Sequence, residues 1–157
     1  MKKRYELFVS ISDAFLNFWK IYIKFYYCKE LEEKNIASYF IADIIFSSFL
    51  AEIALKAIIA YERNEICRGH YLDLLFMNLH PQTRNLIASD MGYTVDELLI
   101  KLKANNNHFI YWRYHFELQC NEVDLKFIEN LLNSISAYVI GLRMKLNVEH
   151  EAKLSCE

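Results

Sequence analysis

Three glycines and one proline are all that the chain of 157 residues carries to force a sharp turn. Sheets and alternating α/β folds need many tight connections, built from residues that reach unusual φ or fix it. A chain this poor in both is predicted to be all-α. Its 54% hydrophobic share is enough to build one buried core at this length. The expectation is an antiparallel helical bundle of four to five main helices, with residues 1–148 as one domain and 149–157 as a polar tail.

Periodicity locates the helices. Over residues 4–30, Glu6, Ser10, Asp13, Asn17, Lys20 and Lys24 recur in alternating steps of four and three, the spacing of one helix face. Phe8, Ile11, Phe15, Phe18 and Tyr22 form the opposite stripe. Residues 36–61 are apolar nearly all round, which predicts a buried central helix, and Asp43, Glu52 and Lys56 within it argue against a bilayer span. A short helix is expected over His70–Leu79 and another after Pro81, stopped at Gly92. Thr94 with Glu97 fits a capping box for a helix to about Lys103. Asn121 is placed to cap a last helix, on which Leu125, Ile128, Leu132, Ile135, Val139, Leu142 and Leu146 make a seam for another helix.

Charge and cysteine usage remove several classes of function. A net charge of −2 and a pI near 6.2 give no global attraction to nucleic acid, so any RNA contact must come from a local cluster. Cys28, Cys67, Cys120 and Cys156 lie far apart with no C-x-x-C pair, and read as reduced thiols of a cytoplasmic protein. The five histidines include no H-x-x-x-H pair, and no phosphate loop or nucleophile elbow is present, so neither metal nor cofactor is expected.

Three segments, in this order, resemble the HEPN superfamily (higher eukaryote and prokaryote nucleotide-binding domains). They are AEIALKAII at 51–59, GHYLDLLFMNL at 69–79 and FIYWRYHFE at 109–117. The resemblance covers roughly residues 36–145. It implies a compact antiparallel bundle, a homodimer, and an RNA-associated protein of a bacterial toxin or defence system, with a cognate protein as a further partner. Active members of the family are metal-independent endoribonucleases that use an arginine and a histidine with four to six residues between them. In such a pair the histidine exchanges a proton and the arginine holds developing phosphorane charge.

The residues that fit this chemistry fall in three groups. Arg113, His115 and Glu117 lie in the third segment, where Arg113 and Glu117 share a helix face and His115 points away. Where the pattern after Arg113 would place its histidine, Leu118, Gln119 and Cys120 stand instead. Arg143 with His150, and Arg63 with His70, have six residues between them and do fit the spacing. Glu52 and Lys56 read as an internal ion pair, or as a polar contact for the short helix that opens at His70. The aromatic side chains around Arg113 suit either a core or base stacking. The alternative to an RNA enzyme is a non-catalytic dimerisation or partner-binding module that uses the seam of the last helix.

Overall fold

The computed structural model describes residues 2–31, 36–106 and 124–154, and holds six helices among them. The first, α1 (Lys2–Leu31), follows the predicted stripes. Glu6, Ser10, Asp13, Asn17, Lys20 and Lys24 are all exposed, while Phe8, Phe15 and Tyr22 are buried. Phe18 departs from the pattern: it sits at the edge of the apolar stripe, edge-on to Phe49 of the next helix and partly open to solvent.

Helix α2 (Ile36–Arg63) is the central element. Between Leu50 and Ala60 every side chain except Ile53 and Lys56 is buried, as a helix apolar all round requires. It runs antiparallel to α1: Phe8 packs on Tyr61 near one end, and Phe25 packs on Phe46 and Tyr39 near the other. A left-handed Asn64 (φ 57°) closes α2, its N–H still donating to the Ala60 carbonyl at 3.0 Å. Asparagine is among the few residues that take this conformation readily.

Three short helices follow: α3 (Leu72–Met77), α4 (Pro81–Asp90) and α5 (Val95–Ala104). The helix expected over His70–Leu79 is shorter because Tyr71 is extended (φ −79°, ψ 117°) and His70 turns back toward α2. Helix α4 opens on Pro81, with Glu62 of α2 accepting the His80 N–H at 2.7 Å and the Thr83 hydroxyl. A carboxylate there satisfies an orphan donor and suits the positive end of the helix dipole. Gly92 (φ +75°) then ends α4 as expected: its N–H donates to the Ser89 carbonyl and that of Tyr93 to Ala88, the two bonds of a Schellman turn. The Thr94–Glu97 capping box starts α5 with both reciprocal bonds present.

Helix α6 (Leu125–Leu154) completes the bundle. The expected cap Asn121 lies outside the described residues, and Asp124 caps the helix instead, accepting the Phe127 N–H at 3.1 Å. The expected polar tail is helical as far as Leu154, since nothing in VEHEAKL stops a helix. Ile128, Leu132, Ile135 and Val139 of the seam are buried in the core with residues of α2. Arg143 meets Asp13 of α1 while Glu129, earlier on α6, acts on Tyr22, later on α1, so α6 also runs antiparallel to α1, and α2 and α6 point the same way. Among the described residues one helical stretch, Tyr39–Arg63, is long and apolar enough to cross a membrane by length and composition, and 67% of its most apolar window is buried inside the bundle.

Candidate functional site

Glu52 gathers the polar side chains that sequence reasoning singled out. Its Oε1 accepts from Lys56 Nζ at 2.7 Å, one helical turn on, and lies 3.0 Å from Nδ1 of His70, which arrives from the loop between α2 and α3. The turn is made at Gly69, whose φ of +101° other residues rarely adopt. Glu52 itself is buried, and its Oε2 has no hydrogen-bond partner among the described residues. His70 stays 55% exposed.

This arrangement fixes what each group can do. An ionised carboxylate only accepts, so a neutral His70 facing an ionised Glu52 would hold its proton on Nδ1 and leave Nε2 as the acceptor. A carboxylate that orients an imidazole through Nδ1 is the standard support for a histidine that takes and returns protons. Lys56 neutralises the same carboxylate. The expected contact between the Glu52 helix and the segment that opens at His70 is therefore present.

The other candidates are distributed differently. Arg113, His115 and Glu117 lie outside the described residues. The described flanks of that stretch are both anchored: Asn106 exchanges two hydrogen bonds with Asp73 at the start of α3 (2.9 and 2.6 Å), and Asp124 lies 3.5 Å from Lys101 of α5. Arg143 is engaged by Asp13, at 2.8 Å, a partner that local spacing could not reveal. The side chain of His150 lies outside the described residues. Arg63 is exposed, and His70 faces Glu52 rather than Arg63.

Sequence reasoning missed two further polar contacts. Tyr22 of α1 donates to Asp43 of α2 at 2.8 Å, both buried. Burial first, and then the neighbouring Asp43 carboxylate, push the Tyr22 phenol well above its ordinary value, so it remains a donor. Thr83, bonded to Glu62, also meets the Tyr138 hydroxyl at 3.2 Å, which ties α2, α4 and α6 together. A groove of about 360 Å³ between the end of α4 and α6 is lined by Asp90, Met91, Asn130, Asn133, Ser134 and Ala137, and holds none of the candidate residues. No group of three potential metal ligands occurs among the described residues.

The fold defines the chain's class as an all-α helical bundle. Compared with protein-family profiles, curated proteins and solved structures, the chain has no match.

Proposed function

We propose that this chain is an RNA-associated protein of the HEPN type, of the bacterial toxin or defence class, whose working surface includes His70 supported by Glu52. The observation that carries the reading is the Glu52–His70 contact at 3.0 Å. It joins the first HEPN-like segment to the second, although the two residues are 18 positions apart. The Asn106–Asp73 bonds bring the chain just ahead of the third segment to the same short helix. On this reading His70 Nε2 exchanges a proton with the ribose hydroxyl or leaving oxygen, and an arginine of the third segment, Arg113, holds the phosphate charge. No metal takes part in the step.

A partner-binding module built on the α6 seam finds less support, because Ile128, Leu132, Ile135 and Val139 are already covered. The test is cleavage of mixed single-stranded and structured RNA in EDTA, by wild type, His70→Ala and Arg113→Ala, each checked for fold by circular dichroism. The expected result is cleavage by wild type and its loss in both folded variants. A wild type that neither cleaves nor binds RNA overturns the proposal, and cleavage that survives His70→Ala removes His70 from the site.

A further inference from the structure

Helices α4 and α6 run antiparallel, and two contacts mark the span they share. Thr83 meets the Tyr138 hydroxyl at 3.2 Å, and Tyr93, just past α4, packs edge-on to Phe127. Between these contacts lies the groove of about 360 Å³. Its lining is polar where nothing local asks for it. Asp90 is the last residue of α4, where the negative end of the helix dipole disfavours a carboxylate, and the last turn holds no basic residue. The Asp90 side chain is exposed and makes no ion pair among the described residues. On the other wall Asn130, Asn133 and Ser134 share one face of α6, each a weak helix former. None of these three side chains has a hydrogen-bond partner among the described residues, whereas Ser136, two residues on, donates to the Leu132 carbonyl.

We propose that this groove is a binding site for a guanidinium group. Residues that break local rules are kept where function needs them. Here a carboxylate set against a helix dipole costs stability in the free protein, and a bound cation removes that cost. The form of the cation follows from the walls. The acceptors are spread out: Asp90 stands on one side, and Asn130 and Asn133, about 4.5 Å apart in helical rise, on the other. An ammonium is a compact charge with three donors, whereas a guanidinium fans five N–H donors in one plane and matches a carboxylate with two of them. Asp90 takes that bidentate pair, and the amide oxygens of Asn130 and Asn133 with the Ser134 hydroxyl accept from the remaining donors. Met91 and Ala137 supply an apolar wall for the aliphatic stem that carries the group. Free arginine and an arginine side chain on a peptide share this chemistry. The same carboxylate repels phosphate, so the inference stands apart from the RNA reading.

Amide NMR titration of the full chain with L-arginine, L-lysine and the blocked tripeptide acetyl-Gly-Arg-Gly-amide tests it. At least one arginine probe is expected to bind with a Kd of about 1 mM or tighter, shifting amides around Asp90 and from Asn130 to Ala137, and L-lysine to bind at least tenfold more weakly. Tighter binding of the tripeptide than of L-arginine assigns a chain-borne arginine, and the reverse order assigns the free amino acid. Asp90→Asn should lose at least tenfold in affinity while its Tm stays equal or rises, since the helix end is relieved of a charge; a merely structural Asp90 would lower Tm instead. Asp96→Asn, an exposed acid of α5 outside the groove, should bind as wild type does. The proposal is overturned if neither arginine probe saturates by about 10 mM, if L-lysine binds as well as both, or if Asp90→Asn binds unchanged.

Discussion

Replacing Tyr22 by Phe removes a single oxygen from the contact that joins α1 to α2 inside the bundle. Asp43 is fully buried, and the Tyr22 hydroxyl donates to it at 2.8 Å. A hydrogen bond to a charged group contributes about 1.5–3 kcal/mol, and deleting the hydroxyl leaves too small a gap for a cavity to matter. Tyr22→Phe should therefore cost about 2 kcal/mol, or about 4–8 °C in Tm for a chain of this size. Urea unfolding of a double-mutant cycle isolates the contact: in an Asp43→Leu background the same substitution should cost under about 0.5 kcal/mol. The pH dependence follows from the same contact. Because the folded phenol titrates above its ordinary value of 10.0, its contribution is complete below that pH and is lost as pH rises beyond it. Wild type should thus lose stability above pH 10 more steeply than Tyr22→Phe. Equal costs in the two backgrounds, or identical alkaline limbs, would refute the assignment.

The α6 seam and the α5 cap give two further tests. Ile135→Ala, at a fully buried position, should cost about 2–5 kcal/mol by guanidinium unfolding, while Met144→Ala, 64% exposed, should stay within about 0.5 kcal/mol; a cost below about 1 kcal/mol at Ile135 would mean that the seam is not core. The Thr94 N–H and then its hydroxyl, each donating to Glu97 Oε2 at 2.8 Å, hold the Glu97 carboxyl below its usual value. The support it gives is present above the usual carboxylate range and fades as pH falls through the folded value. NMR titration should show the Glu97 value rising in Thr94→Ala, and no change there would exclude the hydroxyl as a cause.

What the sequence made legible was the face of each helix. The α1 stripe, the buried α2, the Gly92 stop, the Thr94–Glu97 box and the α6 seam all follow from spacing within one segment, which local geometry determines. Partners across helices were not legible, because periodicity says which side is buried and not what buries it. Arg143 shows the limit: spacing sets it with His150, seven residues further on, and says nothing of Asp13, 130 residues away, which holds it. Asp43 stands half a turn round α2 from Glu52, and its partner Tyr22 could not be read from either segment. The Glu52–His70 contact was within reach because both residues stood out locally, one as a charge on an apolar helix and the other after a glycine.

The three carboxylates of α2 explain how a helix apolar enough to cross a membrane becomes the hub of a bundle. Asp43, Glu52 and Glu62 are spaced by nine and ten residues, so successive carboxylates point about 180° and then about 280° further round the helix. They reach three different neighbours: Tyr22 on α1, His70 ahead of α3, and the His80–Thr83 start of α4. Hydrophobic burial draws those elements onto α2, but it is non-directional and tolerates rotation and sliding. A carboxylate that accepts from a neighbour does not, because a misplaced neighbour costs it that donor. The apolar surface of α2 therefore supplies the attraction, and its acids set where each neighbour docks. The Glu52–His70 contact belongs to that framework and to the candidate site at once, so His70 is held by a buried acid of the central helix while its own side chain stays more than half exposed.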